Sequence, residues 1–222
     1  MKTNKTLQKK WYDKAFNQNQ WDDSSLSFET KYFIDRFLDL VVKKGTKHVL
    51  EIGCGDGLLT SFLLKRKFDK IYAIDISAVA IEGCHRKFVR AVRSGRLELV
   101  KDDLIHYLKT STQKYDLIVG SGILHHIDKK RLSILIKESH NKLNKGGIFA
   151  CTPEPNAFGF WSLLWRLAPF IYKIFRMEYN WEVEKGTLNM KPGFLKKILI
   201  GGGIPRQKFY RLSYFRTLIF LF

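Results

Sequence analysis

The chain has 222 residues, 45% of them hydrophobic, long and apolar enough for one domain with a sizeable core. It carries 39 lysines and arginines against 21 aspartates and glutamates, a formal charge of +18. A basic surface suits an anionic partner (nucleic acid, anionic lipid or an acidic substrate), or serves solubility alone. Three cysteines without a C-x-x-C pair exclude a disulfide framework and fit a reducing, cytoplasmic compartment. No spacing of Cys, His and acids suggests a metal. No apolar run of about eighteen residues is present, so no spanning helix is expected. The polar stretch Met1 to Gln20 does not resemble a secretory leader.

Residues 1–28 are polar with interleaved Trp11, Tyr12, Phe16, Trp21 and Phe28, which reads as a surface arm whose aromatics pack on the domain that follows. Over 29–44, Phe33, Ile34, Phe37, Leu38 and Val41 recur at helical spacing, with Gly45 just beyond; an amphipathic helix is predicted. His48 to Ile52 reads as a strand running into glycines at 53, 55 and 57, and Leu58 to Phe68 as a helix. Glycine admits positive φ and close backbone approach, and the helix start offers unpaired N–H groups, so this turn is a ligand-binding element. The dinucleotide fingerprint G-x-G-x-x-G needs glycine where Leu58 stands, and no G-x-x-x-x-G-K-[ST] loop occurs; neither nucleotide motif is met.

A second strand, Ile71 to Asp75, precedes a helix over 78–93 that Ser77 can cap. An acid at that strand end suits two ribose hydroxyls; a solvated carboxylate is the plain alternative. A third strand, Leu97 to Val100, ends in Lys101-Asp102-Asp103, and a fourth, Tyr115 to Val119, leads into Gly120-Ser121-Gly122-Ile123-Leu124-His125-His126-Ile127. Ligands of open α/β sheets sit at such strand ends. A helix over 128–143 carries Leu132, Leu135, Ile136 and Leu143 on one face. Asn144 to Gly147 reads as a turn, Ile148 to Cys151 as strand five, and Thr152-Pro153-Glu154-Pro155-Asn156 as extended chain. Residues 157–185 crowd aromatics with Arg166, Lys173 and Arg176 around Pro169. They fit a roof over the site or an interfacial segment on an anionic membrane; base stacking ranks third. A helix is predicted over 191–200 and a strand over 207–213. Residues 216–222 either supply one more short strand or leave the last strand missing.

Glu51 to Gly57, E-x-G-x-G-x-G, resembles motif I of the class I S-adenosylmethionine (SAM) methyltransferases. Leu-His-His-Ile after the fourth strand is similar to small-molecule members of that superfamily, of the ubiquinone and menaquinone type, and Leu-Asn-Lys-Gly-Gly at 143–147 looks like their turn into strand five. The resemblance implies a Rossmann-like α/β fold: a mainly parallel twisted sheet, helices on both faces and a closing hairpin that is truncated here if 216–222 fails to pair. It implies an N-terminal lid over 1–28 and a SAM domain over 29–222. Glu51, Gly53, Cys54, Gly55 and Gly57 would wrap the methionine part of SAM. Asp75 and Ile76 would take the ribose side, Asp102 or Asp103 with Leu104 the adenine, and Ser121 the fourth-strand side. By eye Asp103 fits the adenine position better than Asp102. His125 or His126 is the candidate general base; Tyr12, Glu154 and Asn156 are candidate acceptor contacts. The acceptor implied is a small, hydrophobic molecule. A (D/N)-P-P-(Y/F) tetrapeptide, which nucleobase amino methyltransferases carry after strand four, is absent, so an RNA methyltransferase ranks behind it, as does a SAM-binding protein that needs a partner for activity. A peripheral position at the inner membrane surface is the second localisation expected.

Overall fold

The computed structural model describes residues 28–154, 207–212 and 215–221. Tyr12, Asn156 and the stretches expected as arm, aromatic roof and 191–200 helix lie outside the described residues. The elements run α1 (Phe28–Val41), β1 (His48–Ile52), α2 (Leu58–Leu64), β2 (Lys70–Asp75), α3 (Ala78–Lys87), α4 (Val89–Arg93) and β3 (Leu97–Lys101). Then follow α5 (Leu104–Thr110), β4 (Tyr115–Gly120), a 3-10 turn (Leu124–His126), α6 (Lys129–Lys142), β5 (Leu143–Glu154), β6 (Gln207–Leu212) and β7 (Phe215–Leu221).

The strands form one sheet in the order β3-β2-β1-β4-β5-β7-β6. Pairing is parallel from β3 to β5 and antiparallel where β7 joins β5 and β6. Side chains alternate across a strand, and the core divides accordingly. Val49, Ile71, Ala73, Leu117, Val119, Ile148 and Ala150 face α1, α2 and α3. Leu50, Ile52, Tyr72, Ile74, Ile118 and Phe149 face α5 and α6. With both faces covered, the strands read as continuous apolar runs, as buried parallel strands do.

One open alternative is settled, one helix is added and two expectations change. The closing hairpin is present, because 215–221 pairs along β5 from Ile148↔Leu221 to Glu154↔Arg216. The helix over 78–93 is two: it stops at Phe88 (φ −114, ψ 30), which turns its ring toward Gly57 and the core. Helix α5, not anticipated, begins where the Asp103 side chain accepts from Ile105 N and His106 N, the usual means of satisfying first-turn donors, and it buries Ile105 and Leu108. The expected turn at 144–147 lies within β5, accommodated by a register shift opposite Tyr115–Leu117 and by Gly146 at φ +77.

Candidate active site

Chain connections leave β1 toward β2 and β3 on one side and return to β4 on the other. In open α/β sheets ligands bind at such a reversal, outside the carboxyl ends of the strands, and the described site residues stand in the segments that leave β1, β2, β3 and β4 at that end. The Gly53–Gly57 loop is pinned by backbone and by one carboxylate. Gly53 N and Cys54 N donate to Ile74 O at 2.9 and 3.0 Å, and Gly57 N to Cys54 O at 2.9 Å. Gly55 N donates to Asp75 Oδ2 and Ser77 N to Asp75 Oδ1, both at 2.9 Å. Gly53, Gly55 and Gly57 have φ of +66, +52 and +85, a region costly for any residue with a Cβ. Space is short as well: a Cβ on Gly53 would sit 2.7 Å from Ile123 Cδ1, and one on Gly57 2.4 Å from the Phe88 ring. The loop is therefore clamped between β4's exit and α3.

Glu51 and Cys54 lie beneath the loop. Glu51 is 1% exposed and accepts from Thr60 Oγ1 at 2.6 Å. Burial, with the nearby charges of Asp56 and Asp75 against the Thr60 hydrogen bond, pushes its carboxyl up to about 8. It has no free face for a ligand and supports the loop from below. The Cys54 side chain is buried; its hydrogen bond with Cys84, then burial, raise the thiol well above its ordinary value. Cys84 Sγ in turn donates to Gly55 O at 3.4 Å.

The acids after β3 divide their tasks. Asp102 N bonds Asp75 O at 3.0 Å, joining the two strand ends, and the Asp102 carboxylate pairs with His106 Nδ1 at 2.8 Å. Asp103, the residue favoured by eye, caps α5 through Oδ1 and bonds Arg131 of α6 through Oδ2 at 2.5 Å. Leu104 is half-buried behind it, Ser121 half-buried after β4, and Ile76 exposed beside Asp75. The 3-10 turn holds both histidines, with Leu124 fully buried as its anchor. His126 is half-buried, and the His125 side chain lies outside the described residues. Glu154 ends β5 opposite Arg216. Thr60, Ile123 and Arg131 escaped the sequence reading. Arg131 carried a usable signal, three residues after the Asp128 cap on a helix that must pass the strand ends.

A family profile described as "Methyltransferase domain" matches residues 49–147, the span from the glycine loop to the start of β5. Over these residues the chain matches a methyltransferase domain. A similar curated relative is the tRNA1(Val) (adenine(37)-N6)-methyltransferase of Haemophilus influenzae, 30% identical over 105 residues, 44% of this chain and 45% of that protein. The chain thus spans about half the length of the curated relatives it matches. The magnesium protoporphyrin IX methyltransferase of Synechocystis, solved with bound SAH, superposes with a TM-score of 0.67 at 17% identity, over 98% of both chains. The N-methyltransferase NodS of Bradyrhizobium japonicum, also in complex with SAH, gives 0.65 at 16% identity, over 95% of this chain and 97% of that one. At such identities the likeness is one of fold.

The residues at this end of the sheet suit a nucleoside cofactor. Asp75 accepts from Gly55 N of the loop and from Ser77 N at the start of α3, and a carboxylate at a strand end suits a vicinal diol. Exposed Ile76 offers an apolar platform next to it. Among the described residues no group of His, Cys, Asp and Glu could hold a metal ion.

Proposed function

We propose that the chain transfers a methyl group from SAM to a small, hydrophobic acceptor. The observation that carries this reading is the Gly53–Gly57 loop held on the Asp75 carboxylate at the sheet's switch point. Bound SAM would supply an electrophilic methyl carbon. The glycine loop would take its amino-acid part, Asp75 the ribose hydroxyls, Ile76 and the Asp102–Leu104 turn the base. The protein's share is orientation in a dry pocket, an effect of up to about 7–11 kcal/mol. A histidine of the Leu124–His126 turn would accept the acceptor's proton where one must leave, adding about 10²–10⁴-fold.

The small-acceptor reading is supported by Gly120-Ser121-Gly122-Ile123 following β4 in place of an N-P-P-Y-type tetrapeptide, and by fold likeness to a porphyrin methyltransferase over its whole length. Incubating the protein and tritiated SAM with cell extract, then separating aqueous, RNA and organic fractions, tests it. Label in the organic fraction is expected; label confined to RNA would overturn the acceptor assignment. No helix among the described residues is long and apolar enough to cross a membrane. Peripheral contact through 157–185 is tested separately, by flotation with anionic vesicles at low salt.

A further inference from the structure

Because β3, β2, β1, β4 and β5 run parallel, every loop that leads into one of them lies at the same end of the molecule, opposite the glycine loop. All five are basic. The loop into β1 carries Lys43, Lys44 and Lys47, and that into β2 carries Lys65, Arg66, Lys67 and Lys70. Arg93 and Arg96 precede β3, Lys114 precedes β4, and Lys142 with Lys145 flank the start of β5. Against these twelve cations, segments 42–47, 65–70, 93–96, 111–114 and 142–147 hold one acid, Asp69.

Little of that charge is neutralised locally. Arg66 pairs with Asp35 and Asp39 at 3.2 Å, Lys47 with Asp69 at 3.8 Å, and Lys70 with Glu98 at 2.6 Å. Asp116, a further carboxylate at this end, accepts from Lys47 N, His48 N and Asn144 Nδ2, and Glu138 near the end of α6 accepts from Asn141 Nδ2 at 3.3 Å. Lys43 and Arg96 donate to the carbonyls of Gly146, Leu64 and Arg66, as Lys114 and Lys142 do to those of Asn141 and Ser111. Neutral acceptors leave the cationic charge in place. Nine of the twelve therefore have no carboxylate partner among the described residues. At the other end Asp56, Asp75, Asp102, Asp103 and Asp128 offset Lys101, Lys130 and Arg131, so the unbalanced cationic charge of the parallel sheet lies at the end opposite the glycine loop.

We propose that this basic end is a docking surface for a nucleic-acid phosphate backbone, separate from the methyl-transfer end. Five strands about 4.8 Å apart make a cationic stripe about 20 Å long, the shape of a linear polyanion rather than of a single phosphate. Phe68, Tyr115 and Leu143 in or beside these loops are buried, and none of the large exposed hydrophobics falls in them. The surface thus offers phosphate contacts without base stacking, a pattern that positions a nucleic acid without reading sequence. A bilayer fits less well: it favours apolar anchors between the lysines. It would also hold the glycine loop a strand length away, about 17–20 Å for five or six residues.

Binding is read without turnover, so the test does not depend on the acceptor. Fluorescence anisotropy with short labelled RNA and DNA duplexes between about 50 and 200 mM salt gives both affinity and salt slope. Lys65→Glu/Lys67→Glu is compared with Lys130→Glu/Lys137→Glu, which changes net charge equally but on α6, where Lys130 and Lys137 are exposed. The first pair should weaken binding at least about tenfold and flatten the log–log slope by about 2. The second should change both by much less, and Lys65→Gln/Lys67→Gln should fall between. The proposal is overturned if the duplexes do not bind at the lowest salt, or if both pairs weaken binding equally. It is also overturned if only phosphatidylglycerol vesicles bind through Lys65 and Lys67.

Discussion

Replacing Glu51 by glutamine should remove a pH-dependent cost that the fold carries beneath its glycine loop. Glu51 is buried, and its carboxyl is pushed from an ordinary 4.5 up to about 8, chiefly by burial. Between those two values the folded protein keeps a proton that the unfolded chain has released. Wild-type stability therefore falls as pH rises from about 4.5 to about 8, then levels. At about 1.4 kcal/mol per unit, the full cost reaches an upper limit of about 5 kcal/mol by pH 9. Glutamine stays neutral throughout and retains an oxygen to accept the Thr60 hydroxyl, which lies 2.6 Å from the carboxylate now. Urea unfolding of both proteins at about pH 5.5, 7 and 9 should show the variant near or below wild type in acid. In alkali it should be about 2–5 kcal/mol more stable relative to wild type, roughly 5–15 °C in Tm for a chain of this size. Parallel stability profiles for the two proteins would refute the reasoning.

Asp75→Ala frees Gly55 N and Ser77 N together with the proposed ribose acceptor; at about 1.5–3 kcal/mol per charged hydrogen bond, SAM affinity by calorimetry should drop about 10²-fold, and unchanged affinity would sink the assignment. Gly57→Ala places a methyl 2.4 Å from the Phe88 ring at φ +85 and should destabilise by about 2–4 kcal/mol, so a urea midpoint equal to wild type would contradict the clamp. Asp116→Ala should cost about 2–4 kcal/mol, since burial alone would raise this carboxyl but hydrogen bonds from His48 N, Asn144 and Lys47 N together hold it below 3.8. Its stabilisation is present above 3.8 and lost as pH falls through the lower folded value, an acid-side step that circular dichroism should find in wild type and not in the variant.

How much of this was legible in the sequence depended on the range of the forces involved. β1 over His48–Ile52 was read to the residue, since its apolar run and glycine stop are local. Positive φ at Gly53, Gly55 and Gly57 likewise followed from a turn with no room for side chains. Phe88 breaking its helix was not readable, because the cause is a tertiary contact with Gly57. The last strand was uncertain because 215–221 pairs only with distant partners, β5 and β6. Asp102 and Asp103 were indistinguishable as letters. What separates them is that Asp103 stands one residue ahead of α5 and so must cap it, while Asp102 stays on the strand end beside Asp75. Of the site as expected, the glycine loop, Asp75 and the strand-end acids stand together at the carboxyl end of the sheet. Glu51 and Cys54 proved to be its underside.

Net charge illustrates the same division. Composition stated the excess of cations but not its direction, and the sequence count placed its largest share in 157–222, at 11 basic against 3 acidic residues. Within the sheet the deciding factor is topology. A parallel strand has its ligand-binding end fixed by the glycine loop, so any basic residue just before a strand is carried to the far end whatever its neighbours. Lys44, Lys67, Arg96, Lys114 and Lys145 stand up to about a hundred residues apart in the chain, yet parallel order brings them to one face. Acids that follow the strands, such as Asp75 and Asp102, are carried by the same rule to the cofactor end. A cationic cofactor sulfonium and a polyanion would then be drawn to opposite poles of one small domain. Reversing charges at Lys65 and Lys67 should therefore weaken nucleic-acid binding while SAM affinity stays unchanged; a parallel loss of both would mean that the two ends are not electrically independent.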